Sequence, residues 1–220
     1  MFLVIVIVSF LASAAVRAWL KKTYSRWSEI ANAIGADGRT VARHILDSND
    51  LQHVRLAVSE GTLSDHYIPS QELIRLSRDI DSRPSVASIA VAAHEVGHAL
   101  QNKENYAWLK LKAVLMPFAA VGNKAGLFLA IGSGMMGSTL LMNAGLLLML
   151  LGMLMPLLTL PIEFDASKRA LQQLIDLRLV TESEYDGAKS VLRAAAFTYV
   201  AGAAQSTAIL ALLVFRFLRR

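Results

Sequence analysis

The 220-residue chain contains no cysteine, which excludes disulfide bonds and thiolate metal sites. Any metal must therefore be held by histidine and carboxylate side chains. The chain also lacks internal repeats. It has no stripe of interleaved aromatic and basic residues, so nucleic acid is not an expected partner. Its net charge of +5 comes mainly from Lys and Arg near the ends of apolar runs, a pattern typical of membrane spans.

Charge is nearly absent from the N-terminal run, where Arg17 is the only charged side chain within residues 1–20. A cleaved signal peptide is the alternative interpretation, because residues 12–14 resemble a cleavage site. The basic region that precedes the apolar core of a signal peptide is missing, however, and the basic residues come afterwards. We therefore expect an uncleaved transmembrane anchor at residues 1–20, with its N-terminus outside and the chain from residue 21 in the cytoplasm.

A second stretch, residues 125–162, has no ionisable group over 38 residues. One helix of that length would be roughly 57 Å long, nearly twice the hydrocarbon thickness of a bilayer. A transmembrane helical hairpin at residues 113–160, with a turn near residues 132–134, explains the stretch better. A last uncharged run predicts a C-terminal transmembrane helix at residues 194–216.

Residues 21–112 are the only long polar stretch and predict a small α+β unit. Alternating apolar residues predict strands at 54–58 and 73–77, and the helical pattern predicts a helix over 85–101. Residues 161–193 form a second polar segment, helical with one break. The positive-inside rule places these polar segments in the cytoplasm, although the three C-terminal arginines would then lie outside, against the same rule.

The strongest chemical signal is His94-Glu95-Val96-Gly97-His98. Residues i and i+4 lie on one face of a helix, so two imidazoles there can bind one Zn²⁺ at about 2.0–2.1 Å. Glu95 lies beside that face, where it can take a proton from a zinc-bound water. A chance match is the alternative, but two histidines and a glutamate in this register arise far less than once in a chain of this size.

Zinc held by two histidines needs a third protein ligand and an open position. Glu163 is the best candidate, because it follows Pro161 at the end of an apolar run and a carboxylate at the membrane boundary needs a partner. A surface glutamate that caps a helix after proline explains an isolated Glu163 equally well. The residues alone leave both explanations open.

A resemblance covers almost the whole chain. It lies in the N-terminal anchor and in the segments 63–67, 91–99, 160–167, 191–196 and 198–200. In these the chain resembles the YugP-like family of membrane-bound neutral zinc metallopeptidases. The resemblance implies Zn²⁺ bound by His94, His98 and Glu163, with Glu95 catalytic.

This resemblance and the apolar runs together give the expected architecture. The chain is predicted to be mainly α, an integral membrane protein with about four transmembrane helices and a small α+β, zincin-like catalytic unit on the membrane surface. We expect it in the bacterial cell membrane, in contact with the lipid bilayer and with its active site on the cytoplasmic side. Its expected partner is a protein or peptide substrate that is itself membrane-associated.

The chain is more distantly similar to HtpX-type and prenyl-protein membrane proteases, which carry Glu-x-x-Ala-Asp on a later helix. Ser167 stands at the position of that aspartate, and the nearby acid is Asp165 instead. In those relatives an edge strand before the zinc helix binds the extended substrate. By resemblance, Asp65, His66 and Tyr67 lie in or near that strand, which makes Asp65 and Tyr67 candidate substrate contacts.

Three side chains are candidate catalytic donors to the oxyanion of the transition state. Four interpretations of His66 are open: such a donor, a substrate contact, a neighbour of the metal, or an ordinary turn residue. Arg193 and Tyr199 are donors, or else a membrane-flanking arginine and an interfacial tyrosine, and the second interpretation is favoured. Asn123 and Lys124 fall inside a predicted span, where they line a cleft or mark a later start of that span.

Two rival functions explain part of the sequence. A non-catalytic membrane scaffold with a structural zinc site would have four protein ligands and no need of Glu95 as a base. A transporter or channel component, with Lys124 and Asn143 along its path, would leave the zinc motif unexplained. We therefore expect a membrane-embedded zinc endopeptidase, with Zn²⁺ as its cofactor.

Overall fold

A computed structural model describes residues 2–218, except for the side chains of residues 2, 3, 121, 123, 124, 127, 130, 210, 212–214 and 216–218. The cleft-lining role considered for Asn123 and Lys124 thus lies outside the described side chains. The described chain is mainly helical with one small three-stranded sheet, as predicted. Its elements are α1 (Phe2–Ser28), α2 (Gly38–Ser48), β1 (Arg55–Ser59), β2 (His66–Ile68), β3 (Leu73–Ser77), α3 (Arg78–Ser82), α4 (Val86–Lys103), α5 (Ala107–Met136), α6 (Thr139–Asp176) and α7 (Glu182–Leu218).

The chain divides into two compact units. The apolar unit comprises the chain up to Val16, the segment Ala107–Pro161 and the chain from Thr198 onward. The polar unit comprises Arg17–Tyr106 and Ile162–Phe197. Helices α1, α6 and α7 each contribute residues to both units.

The core of the polar unit forms among α2, α3, α4, the sheet and the parts of α6 and α7 that belong to this unit. At the start of α2 the Asp37 carboxylate accepts a hydrogen bond from the Thr40 backbone N–H at 2.7 Å, which satisfies a free donor of the first turn. One face of α2 is then fully covered. The largest fully buried apolar side chains of this core are Ile45, Leu46, Ile74, Leu76, Ile80, Ile89 and Leu174.

The sheet has the order β1-β3-β2. β1 pairs with β3 in parallel, and β2 pairs with β3 in antiparallel register, so β2 lies at an edge. β1 and β3 lie where alternating residues predicted strands, within one residue at each end. β2 has only three residues, too few for alternation to reveal it, but it lies where the resemblance placed an edge strand.

Helix α4 crosses the centre of the polar unit, and most of its side chains are buried. Ser85 caps it, because its Oγ accepts a hydrogen bond from the Ser88 backbone N–H at 3.1 Å. On α4, Gly97 lies directly against α6. A Cβ atom at Gly97 would stand 2.5 Å from the Ala166 carbonyl oxygen, so only glycine allows this approach.

In the apolar unit, α5 and α6 pack against each other in a helical hairpin. A Cβ at Gly122 or Gly126 would stand 2.7 Å from a backbone oxygen of α6. The turn of this hairpin is at Gly137, which has φ +62°, and not near residues 132–134 as predicted. Gly132 and Gly134 remain helical, whereas Gly137 takes the left-handed conformation that ends a helix.

The prediction of about four membrane-spanning helices is supported for two. Among the described residues, Val4–Ser28 and Thr139–Asp176 are long and apolar enough to cross a membrane. In the most apolar stretch of each helix only 6% and 22% is buried, respectively, whereas the core helix of a soluble protein is mostly buried. Helices α5 and α7 were predicted to supply the other spans, and the predicted spans on both helices include positions that lie outside the described side chains.

Replacing Gly97 with alanine tests the close approach of α4 and α6. We expect Gly97→Ala to lower the free energy of unfolding by about 1–3 kcal/mol, because the added methyl group forces the helix backbones apart. Thermal unfolding of the purified protein in detergent measures the effect. Gly132→Ala is the matched control, since no atom would lie within 4 Å of its Cβ. Equal stability of the two variants would contradict the expectation.

Candidate metal centre

His94 and His98 lie one turn apart on α4 and direct their rings into the same space. The ring centroids are 4.8 Å apart, and the ring planes meet at 81°. Both side chains are half-buried. The small apolar residues that precede them keep α4 regular, so the i, i+4 spacing places both imidazoles on one face.

Glu163 reaches the two histidines from α6. Its Oε2 lies 3.2 Å from His94 Nε2 and 3.7 Å from His98 Nε2. The residue is only 6% exposed. Helix α6 runs through Pro161 without ending, so Glu163 lies inside a helix and does not cap one. The contact of Gly97 with Ala166 brings α4 and α6 close enough for this meeting.

The three side chains fit a zinc ion. Their candidate ligand atoms all lie within 4.8 Å of one another. Ligands at about 2.0–2.1 Å from a tetrahedral zinc are roughly 3.3 Å apart. The two separations between histidine and Glu163, 3.2 and 3.7 Å, lie on either side of that value. Among the described residues no fourth His, Asp or Glu joins the group, which leaves a position open as in catalytic zinc sites.

The second ring nitrogen of each histidine has a partner of its own. His94 Nδ1 lies 3.2 Å from Ser167 Oγ, and His98 Nδ1 lies 3.0 Å from Gln101 Oε1. These contacts leave both Nε2 atoms facing Glu163. Partners of this kind set the orientation and tautomer of metal-binding histidines.

Glu95 is buried next to the histidines, with 6% of its surface exposed. Burial raises the pKa of the Glu95 carboxyl group. The positive charges of His94 and His98 lower this pKa, and the negative charges of Asp65 and Glu163 raise it, so that the pKa is raised overall. A carboxylate with a raised pKa is a better proton acceptor near neutral pH. Burial disfavours the protonated form of His98, but its contact with Glu163 and the charge of Glu95 raise the pKa of His98 overall.

Asp65 and Tyr67 hold the edge strand β2 in place. The Asp65 carboxylate accepts hydrogen bonds from Ser77 at the end of β3, from the backbone N–H at 2.6 Å and from Oγ at 3.1 Å. The Tyr67 hydroxyl accepts a hydrogen bond from Asn102 Nδ2 on α4 at 3.1 Å. The contacts of both side chains therefore lie within the fold, and a role for either in substrate binding stays a prediction.

The candidate oxyanion donors have other contacts. His66 is exposed on β2, and its Nδ1 lies 2.8 Å from the Ser64 carbonyl oxygen. Arg193 is exposed on α7, with its guanidinium 5.7 Å from the centre of the Phe197 ring. Tyr199 belongs to the apolar unit. A donor role for these residues stays a prediction.

Sequence reasoning did not assign roles to Gln101 and Ser167, the partners of the two histidines. One signal for Gln101 was available. It follows His98 by three residues, which puts it on the same face of a largely apolar helix. Ser167 was noticed only as a departure from the aspartate of distant relatives.

Comparison with known proteins identifies the family of this chain. Residues 2–218 match the family described as "Putative neutral zinc metallopeptidase". A protein of Bacillus subtilis (strain 168), "Putative membrane protease YugP", is 38% identical over 184 residues, which cover 84% of this chain and 82% of that protein. No solved structure matches the chain.

Removal of the Glu163 carboxylate tests the metal centre. We expect Glu163→Gln to weaken zinc binding by more than about 100-fold, since loss of a residue that only touches a ligand already costs about 10–100-fold. Competition with a chromogenic chelator measures the zinc affinity. Asp176→Asn, an exposed carboxylate at the end of the same helix, should bind zinc like the unmodified protein. Equal affinity of both variants would remove Glu163 from the ligand set.

Proposed function

Because the chain belongs to the family of neutral zinc metallopeptidases, we propose that it is a membrane-embedded zinc-dependent endopeptidase. The observation that carries the proposal is the meeting of His94, His98 and Glu163 beside the buried Glu95. Three ligands with an open position suit catalysis, whereas a structural zinc site is closed by a fourth protein ligand. A base next to the ligands has no purpose in a structural site.

Zinc held by His94, His98 and Glu163 would polarise the scissile carbonyl and lower the pKa of a water at the open position to about 7. Glu95 accepts the proton of the attacking water and transfers it to the leaving amine. Burial keeps competing water away from the Glu95 carboxylate. Ser167 and Gln101 hold the two imidazoles in orientation through their Nδ1 atoms.

We further propose that the substrates are membrane proteins or membrane-proximal segments. Glu163 follows the apolar part of α6 along the chain after a single residue, Ile162. The polar unit also begins within α1, another helix apolar enough to cross a membrane. These connections support an active site at the membrane surface. The basic residues that flank the apolar runs are the reason for proposing the cytoplasmic side of a bacterial cell membrane.

Substitution of Glu95 separates catalysis from metal binding. We expect Glu95→Gln to bind zinc normally but to cleave casein or a membrane-protein substrate about 10²–10⁴-fold more slowly, the usual contribution of a general base. Glu60→Gln, an exposed carboxylate in the same unit, should cleave at the normal rate. Full cleavage by Glu95→Gln would contradict the mechanism. Zinc binding without cleavage by the unmodified protein would favour the structural scaffold.

The absence of cysteine makes the orientation directly measurable. A single cysteine introduced as Gln52→Cys, at an exposed position of the polar unit, should react with a membrane-impermeant maleimide in inverted vesicles only. The unmodified chain is the control for background labelling. Labelling of intact cells would place the polar unit outside and contradict the proposed orientation.

A further inference from the structure

Gln101 is fully buried, and both ends of its amide are hydrogen-bonded. Its Oε1 lies 3.0 Å from His98 Nδ1. Its Nε2 donates one hydrogen bond to the Ile162 carbonyl oxygen at 2.7 Å and another to Asp165 Oδ2 at 2.8 Å. A single side chain of α4 thus connects a candidate metal ligand to two acceptors on α6.

The chemistry of these partners determines which way the amide points. A backbone carbonyl can only accept hydrogen bonds, and so can an ionised carboxylate. Both hydrogens on Gln101 Nε2 are therefore used by Ile162 and Asp165, and only Oε1 remains for His98. An amide oxygen can only accept, so His98 must donate from Nδ1. The lone pair of the neutral ring is then on Nε2, the atom that faces Glu163.

Asp165 is itself held from the other side. Its Oδ2 accepts a hydrogen bond from Arg169 Nε at 2.5 Å, one turn later on α6. Arg169 also pairs with Glu104 at the end of α4, at 2.7 Å. The carboxylate that orients Gln101 is therefore tied to both helices and cannot turn away without breaking an ion pair.

We propose that Gln101, held by Asp165, is a positioning residue that keeps His98 in the tautomer with a proton on Nδ1, so that Nε2 binds the metal. The inference rests on the proposed zinc site but not on proteolysis. Without Gln101 the neutral imidazole of His98 distributes its proton between both nitrogens, and its ring is free to rotate. Zinc binding must then select one tautomer and one orientation, which weakens affinity.

The tautomer of His98 can be measured by NMR without any substitution. In the full-length zinc-loaded protein in detergent, labelled with ¹⁵N-histidine, we expect His98 to show a protonated Nδ1 whose hydrogen exchanges slowly, and a metal-bound Nε2. Metal bound through Nδ1, or an Nδ1 hydrogen that exchanges as fast as that of the exposed His44, would overturn the proposal. This measurement remains decisive even if variants of Gln101 do not fold.

Zinc affinity supplies the second readout. We expect Gln101→Leu to weaken zinc binding by about 10–100-fold, the usual cost of losing the partner of a metal-bound histidine. Gln173→Leu is the matched control, because it removes a different amide of the polar unit, which accepts a hydrogen bond from Asn49 at 2.8 Å. Unchanged affinity in a folded Gln101→Leu protein would overturn the proposal.

A paired substitution distinguishes positioning from general structural support. Gln101→Glu places two carboxylates against each other and should weaken zinc binding. Adding Asp165→Asn supplies an amide that can donate to the introduced carboxylate, so the double variant should recover affinity relative to Gln101→Glu alone. Strictly additive effects would show that the two residues act independently. Zinc binding that follows these expectations without proteolysis would uphold this inference and reject only the proposed endopeptidase.

Discussion

The contact between Gly97 and Ala166 is the constraint on which the candidate site depends. A metal needs donors within a few ångströms of one point, and Glu163 is far from the two histidines in sequence. Only the missing side chain at Gly97 lets the backbones of α4 and α6 approach closely enough to join them. The same residue lies between the two histidines of the motif, so the metal face and the packing face of α4 are adjacent.

Burial requires the polar side chains of the site to find hydrogen-bond partners. Glu95, Gln101 and Glu163 are polar side chains inside an otherwise apolar core. A buried polar group is tolerated when its hydrogen-bonding capacity is used, and such satisfied networks favour a single arrangement. Gln101 and Ser167 contact the Nδ1 atoms of the histidines, and Glu163 contacts the Nε2 atoms. These contacts restrict the rotation of the candidate ligands, which would lower the entropy lost when a metal binds.

Helix continuity links the site to the apolar part of the chain. Helix α6 is apolar enough to cross a membrane, and it continues through two prolines to carry Glu163, Asp165 and Ser167. The α6 residues that contact the two histidines and Gln101 therefore belong to the same helix as a candidate membrane span. This continuity is the physical reason for the proposal that hydrolysis takes place at the membrane surface, on substrates that are held there.

Local pattern alone predicted the helical class, the two longer strands, the helix of the zinc motif and the pair His94 and His98, because each depends on residues within a few turns of one another. Glu163 could be named as a candidate but not separated from a helix cap, since its role depends on a partner from another helix. Three-residue β2 was located only by the resemblance, whereas the turn at Gly137 and the partners Gln101 and Ser167 escaped sequence reasoning. The turn at Gly137 falls at one of three glycines within six residues, and each of these glycines is able to end a helix. Gln101 and Ser167 contact partners on another helix, and only the folded chain brings those helices together.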